Sequence, residues 1–265
     1  MANENPEDLL RAGKLTEAKQ RALDVVKRRP ADTEARGLLG QVLLFTGELE
    51  RADKQFEMIG QQDVGSLYAM TAMRRLIKGE MSRRECFAEG KAPEIMGRSV
   101  PLLEKHAQAL AELAKGNAEA AQTLLAEAEA ERPATRGTCD GSEFSDMRDM
   151  DDVLAPCLEV ITLGGTYAWV ALTEIEWFEL TEARSPVDQL WRTTKLSVRE
   201  GPEGEVFLPC LYPGTAQQGD DQLRLGKGTD WIESGDGPVR GLGQKMFALD
   251  EHDRALFEIH RVEFK

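Results

Sequence analysis

Three short tracts recur along the first half of the chain, and their spacing constrains the fold more than any other feature. Gly13-Lys14-Leu15-Thr16-Glu17-Ala18 returns as Gly47-Glu48-Leu49-Glu50-Arg51-Ala52 and again as Gly116-Asn117-Ala118-Glu119-Ala120-Ala121. Gly13 and Gly47, Leu15 and Leu49, and Ala18 and Ala52 each stand 34 residues apart. Pro30 and Pro133 each follow the last Ala of their own tract by 12 residues. A fixed period of this length means one supersecondary unit, repeated and stacked on its neighbours.

Each residue type has a physical reason to be where it is. The Gly supplies a positive φ at a helix–helix turn. The small Ala lets two helices approach. The Pro stops the second helix. In the second unit, Leu39, Gly40 and Leu43 fall on one face of a first helix, and Ala52, Phe56 and Ile59 on one face of a second. The first unit has a short leading helix that opens at Pro6 behind a capping Asn5. The third is one residue out of register, and a long helical stretch over 66–89 without the turn signature separates it from the second. The pattern resembles a degenerate tetratricopeptide array, whose stacked hairpins accommodate a helix or an extended peptide.

The stretch 66–91 is basic. It carries Arg74, Arg75, Lys78, Arg83, Arg84 and Lys91 against Glu80, Glu85 and Glu89. Leu67, Met70, Met73, Ile77 and Met81 recur at threes and fours, which predicts a buried stripe. The positive face is either simply solvated, or docks an acidic partner or the chain's own acidic half. Residues 1–135 hold 20 Lys and Arg against 22 Asp and Glu, whereas residues 136–265 hold 13 against 25. So acidic a half disfavours nucleic acid and anionic membrane surfaces as partners.

From residue 136 the pattern changes. A Gly-, Asp-, Ser- and Thr-rich tract over 136–152 reads as a linker or domain entry. Two β-rich runs, 158–163 and 166–172, flank Gly164-Gly165 as a hairpin, and 174–180 continues as a third strand. Ser185-Pro186 opens a helical turn. A second hairpin spans 195–211 around Gly201-Pro202-Glu203-Gly204, a short helix covers 220–225, and a last hairpin is expected over 245–264. The expectation is an α+β chain: a tetratricopeptide-like domain over 1–135, then an acidic, antiparallel, strand-rich domain over 136–265, small-barrel or sandwich-like.

Little in the sequence carries chemistry. His106, His252 and His260 have no metal-ligand spacing with one another or with a cysteine, and no metal or other cofactor is expected. Asp146, Asp149, Asp151 and Asp152 are spaced wrongly for a calcium loop and are expected to cap or solvate. Gly235-Asp236-Gly237-Pro238 and Gly241-Leu242-Gly243 do not complete a phosphate-binding motif. Cys86, Cys139, Cys157 and Cys210 form no C-x-x-C pair and read as reduced thiols. The opening eight residues have no secretory pattern, so a cytoplasmic location is expected. Carboxylate pairs need no fixed spacing, so a hydrolase site in the second half stays compatible with the sequence. A general peptide-binding co-chaperone is equally compatible with the array.

Several tracts, taken together, resemble one family. They are Arg83-Arg84-Glu85-Cys86-Phe87-Ala88-Glu89-Gly90-Lys91-Ala92-Pro93, the run Pro-Cys-Leu-Glu-Val-Ile-Thr-Leu-Gly-Gly-Thr-Tyr-Ala-Trp-Val over 156–170, Asp188-Gln189-Leu190-Trp191, Leu211-Tyr212-Pro213-Gly214, Asp230-Trp231-Ile232-Glu233, and Gly241-Leu242-Gly243-Gln244-Lys245-Met246-Phe247. The chain is similar over essentially its whole length to the ImpE family, also called SciE or TagJ. The resemblance implies an accessory protein of bacterial type VI secretion. It would bind the N-terminal helix of the small sheath subunit and, through it, be linked to the AAA+ ATPase that recycles contracted sheath. On this reading the chain is a scaffold without catalysis, and the face near Gln41, Leu44, Arg74 and Arg75 is expected to hold the partner helix.

Overall fold

The computed structural model describes residues 5–233, 235 and 237–265. The first four residues and Asp236 of the glycine loop therefore lie outside the described residues. The chain opens with helices α1 (Pro6–Arg11), α2 (Leu15–Arg28), α3 (Thr33–Phe45), α4 (Leu49–Gln62) and α5 (Leu67–Glu89). A two-residue strand β1 (Glu94–Ile95) precedes α6 (Pro101–Ala114) and α7 (Ala118–Glu131). The three repeated tracts are thus the turns of three hairpins, α1–α2, α3–α4 and α6–α7. Gly13, Gly47 and Gly116 hold φ of 79°, 76° and 84° there, a region cheap only for glycine. Ala18, Ala52 and Ala121 are fully buried at the helix crossings. Gly40 sits so close to Phe56 that an added Cβ would lie 2.7 Å from its ring.

The second half is α+β as expected. It contains β2 (Gly137–Cys139), β3 (Ser142–Phe144), β4 (Met147–Asp149), β5 (Cys157–Thr162), β6 (Tyr167–Ala171), β7 (Ile175–Leu180), β8 (Trp191–Val198) and β9 (Glu203–Pro209). Then follow α8 (Asp221–Arg224), β10 (Thr229–Ile232), β11 (Arg240–Gly243), β12 (Met246–Leu249), β13 (His252–Ala255) and β14 (Arg261–Phe264). A nine-stranded sheet runs β1-β6-β5-β9-β8-β7-β14-β2-β3, beside a three-stranded sheet β13-β12-β4 and the pair β10-β11. Ser185 caps the 3-10 turn at 186–189.

Two expectations are corrected here. The 136–152 tract is not a linker: it supplies β2, β3 and β4, whose side chains Cys139, Phe144 and Met147 are buried. The last hairpin is shorter than the sequence suggests. β12 and β13 form it, whereas β14 crosses to the large sheet and pairs with β7 and β2.

Strand register explains how the halves join. Cys157, Glu159 and Ile161 pair with Ala171, Trp169 and Tyr167, and Ile161 also pairs with Phe207. Period two puts these side chains on one face of the sheet. That face packs against Leu76 and Ile77 of α5 and against Leu103 and Leu110 of α6 in one continuous core. The opposite face, with Leu158, Val160, Val170, Phe178, Leu196 and Leu208, closes a second core within the β-domain, together with Phe247 and Leu256.

Candidate partner-binding site

The helical array and the β-domain are joined through buried charge. Arg83 of α5 makes a bidentate pair with Glu159 of β5, Nε to Oε1 at 2.7 Å and Nη2 to Oε2 at 3.0 Å. Nη2 also donates to the Leu211 carbonyl at 2.9 Å, and Nη1 lies 3.3 Å from Glu80 Oε1. Lys245 Nζ sits 2.8 Å from Glu159 Oε2 and 2.9 Å from Asp149 Oδ2. The Tyr212 hydroxyl donates to Asp149 at 2.8 Å. Tyr167 donates to Glu159 at 2.6 Å, and the Trp169 indole donates to the Tyr167 oxygen at 2.6 Å. The Trp191 indole donates to Glu80 at 3.2 Å. Every polar atom of this cluster has a partner, which is what allows charges to stay inside.

The electrostatics follow from burial and pairing. Burial alone would raise the Glu159 carboxyl, but Arg83 and Lys245 outweigh it and hold it far below the usual carboxylate range. Burial pushes Asp149 up, as does neighbouring Asp151, against the pull of Lys245. Lys245 is raised despite burial, because two carboxylates flank it. The four aspartates of 146–152 are therefore structural ion-pair members, not solvating groups. Asp146 pairs with Arg132, Asp149 with Lys245, Asp151 with Arg240 and Asp152 with Arg148. Asp149, Asp151 and Glu159 do converge, but at 1%, 0% and 2% exposure they are closed to any substrate. The basic stretch of α5 thus docks the chain's own acidic half through Arg83.

Beside this cluster lies a cleft of about 400 Å³. Its walls come from the α3–α4 turn (Leu44, Phe45, Leu49), from α5 (Glu80, Arg83, Arg84, Phe87, Ala88) and from the β-domain (Leu190, Trp191, residues 211–217, Arg240). Spacings of four and seven or eight put Glu80, Arg84 and Phe87–Ala88 on one face of α5. Arg84 Nη1 donates to the Gly47 carbonyl at 2.6 Å and so ties α5 to the hairpin turn. Arg240 binds Asp151 through Nε and stacks 5.3 Å over the Phe87 ring.

A second surface lies at the other end of α5. Val64, Leu67 and Tyr68 are 81%, 51% and 87% exposed, and Met70 and Met73 beside them are half-buried. The apolar stripe expected over 67–81 is thus buried only in its later part, at Ile77. The first turns of α5 lie beside the end of α4, where Gly60, which has no side chain, faces Leu67 and Met70.

The four residues singled out in the sequence do not form one face. Leu44 is not on an exposed surface: it is 2% exposed, packed into the shared core at the cleft wall. Gln41 is half-buried on α3. Arg74 is committed to α4, with Nε 2.7 Å from Asp53 and Nη2 3.6 Å from Glu57. Arg75 is exposed beside the β5–β6 turn, whose Gly165 abuts its backbone. No single motif joins the cleft residues, because they come from distant tracts. Yet the signal was present, since 83–93, 188–191, 211–214 and 241–247 all converge on it or on the charge cluster behind it.

These features define a class: a tetratricopeptide-like array fixed to an α+β domain, with surfaces for other proteins. The ImpE protein family model matches residues 141–263, and a tetratricopeptide repeat model matches residues 9–76. The chain is 32% identical over 259 residues to the type VI secretion system accessory component TagJ of Pseudomonas aeruginosa, covering 98% of this chain and 90% of that protein. Its fold superposes with a TM-score of 0.91 on the crystal structure of protein VPA1032 from Vibrio parahaemolyticus, at 25% identity over 98% of this chain and 97% of the other. The chain belongs to the ImpE/TagJ family.

Proposed function

We propose that this chain is a non-catalytic, cytoplasmic adaptor of bacterial type VI secretion. In this reading it binds the N-terminal helix of the small sheath subunit and links it to sheath recycling by the AAA+ ATPase. The accessory role of its P. aeruginosa relative supports the assignment to this system. No helix of the described residues is long and apolar enough to cross a membrane. Residues 1–135 act as the binding unit, and residues 136–265 as the base that holds them.

The observation that carries the reading is the exposed apolar end of α5. Val64, Leu67 and Tyr68, with Met70 and Met73 beside them, form a side-chain patch next to a helical hairpin. Exposed apolar clusters of this kind mark interaction sites, and methionines adapt to a partner's shape. An amphipathic helix laid along α4 and α5 would cover them. Arg75 supplies positive charge on the same helix, Arg74 stiffens the α4–α5 contact through Asp53, and Gln41 contributes from α3.

The test is a titration of the full chain with a synthetic peptide of the small sheath subunit's first helix. Leu67→Asp combined with Tyr68→Asp should weaken binding at least tenfold while leaving the circular dichroism spectrum unchanged, since both side chains are exposed. Absence of binding by the unmodified chain, or equal affinity in the double variant, would refute the assignment.

A further inference from the structure

The cleft between the α3–α4 turn, α5 and the β-domain is separate from the patch just described. Tyr68 and Arg84 are sixteen residues apart on α5, a rise of about 24 Å, and they face different neighbours. The cleft has the composition of a recognition site. Its floor is apolar and aromatic, with Leu44, Phe45, Leu49 and Trp191 each 3% exposed or less. Its charged lining is three arginines against one acid, Arg83, Arg84 and Arg240 against Glu80, in a chain of net charge −14.

These arginines are not equally occupied. Arg83 is consumed by Glu159, Glu80 and the Leu211 carbonyl. Arg84 uses Nη1 on Gly47 and pairs through Nε with Glu80 at 3.6 Å, while its Nη2 has no hydrogen-bond partner among the described residues. Arg240 uses only Nε, on Asp151, so neither of its terminal nitrogens is bonded among the described residues. Arg84 and Arg240 are thus both anchored, and both keep a terminal nitrogen unbonded among the described residues. Unused guanidinium donors beside an apolar box match one ligand chemistry: a bulky apolar side chain adjacent to a carboxylate.

We propose that this cleft is a second docking site, which takes a short acidic–apolar segment of a partner protein. A leucyl or aromatic side chain fills the box over Trp191 and Phe45, and a neighbouring carboxylate is held by the free nitrogens of Arg84 and Arg240. Phe87, lying under Arg240, keeps that guanidinium oriented. The proposal does not depend on which partner covers the start of α5.

The full chain is titrated, by ligand-observed NMR at millimolar peptide, with acetyl-Glu-Leu-Phe-Glu-amide and with its glutamine counterpart acetyl-Gln-Leu-Phe-Gln-amide. The acidic peptide should bind at least fivefold more tightly. Ala88→Trp fills the mouth from an exposed position on α5 and should abolish binding of both. Arg84→Gln should erase the preference for the acidic peptide while leaving the weaker apolar binding. Leu67→Asp with Tyr68→Asp should change nothing. Equal affinity for the two peptides, no binding of either, or undiminished binding to a folded Ala88→Trp chain would overturn the proposal.

Discussion

Arg83 shows how much one side chain can decide. It leaves α5 into the interior, meets Glu159 across 76 positions of sequence and reaches a carbonyl 128 positions away. Removing it leaves Glu159 sealed with only Lys245 for compensation, and breaking a buried pair of this kind costs about 3–5 kcal/mol. Arg83→Met should therefore lower the unfolding free energy obtained from urea titration by about 3–5 kcal/mol. Adding Glu159→Gln should recover part of the loss, because the stranded charge goes with it; strictly additive losses would mean the two residues are not coupled. Because the folded-state pKa of Glu159 is depressed, its contribution is complete above the ordinary carboxylate range. It is lost progressively as pH falls from that range toward the far lower folded-state value. None of these pairings is readable from spacing, since ion partners follow from the tertiary path. One clue does lie in the sequence. Glu159 stands alone in Cys157-Leu158-Glu159-Val160-Ile161, and strand parity puts it on the same face as Cys157 and Ile161. A lone acid on an apolar face requires a cation from elsewhere.

At the scale of elements, local pattern and structure agree wherever the determinants are local. The hairpin turns were legible because glycine at a positive φ and alanine at a helix crossing leave residue-type signatures. The strands at 157–162, 167–171 and 175–180 were legible through β-rich runs and a Gly-Gly turn. Ala52→Trp should thus break the second hairpin, overfilling a fully buried position at a cost of about 1–3 kcal/mol or more. Glu50→Ala, on its exposed side, should cost under about 0.5 kcal/mol. Thermal melts of the two variants give the comparison, and similar shifts would mean that the burial phase of α4 differs from that described. The beginning of α5 misled because helical periodicity reports an apolar face and not what covers it. Leu67 keeps the spacing of a core residue, but the α4 position beside it is Gly60, and it stays 51% exposed. The 136–152 tract misled for the converse reason. Its glycines and aspartates look like solvent-exposed loop, but it forms three strands of three residues each, and Asp149 and Asp151 are paired inside.

For the molecule as a whole, the array and the β-domain share one core, so neither should survive separation. Isolated residues 1–135 would expose Leu76, Ile77, Leu103 and Leu110 and leave Arg83 without Glu159 and the Leu211 carbonyl, and Glu80 without the Trp191 indole. Circular dichroism of that fragment should show no cooperative melt, whereas the full chain should unfold in a single transition. A second link across the same junction makes this unit sensitive to mild acid. His106 of α6 is 1% exposed, and its Nδ1 lies 2.9 Å from the Val153 carbonyl. That contact fixes the tautomer with the proton on Nδ1, while Nε2 faces no partner among the described residues. Burial lowers its pKa to about 4, more than the Val153 hydrogen bond raises it. An ordinary histidine, as in the unfolded chain, titrates near 6.5. Between these two values the unfolded chain binds a proton that the folded chain refuses, so stability rises with pH across that window. The contribution is complete above about pH 6.5 and is lost progressively as pH falls toward 4, amounting to about 3 kcal/mol. His106→Gln keeps a donor for Val153 and removes the titration. Its urea midpoint should change less between pH 7 and pH 5 than that of the unmodified chain, whatever its absolute stability. Parallel pH dependence in the two proteins would show that folding does not lower the His106 pKa.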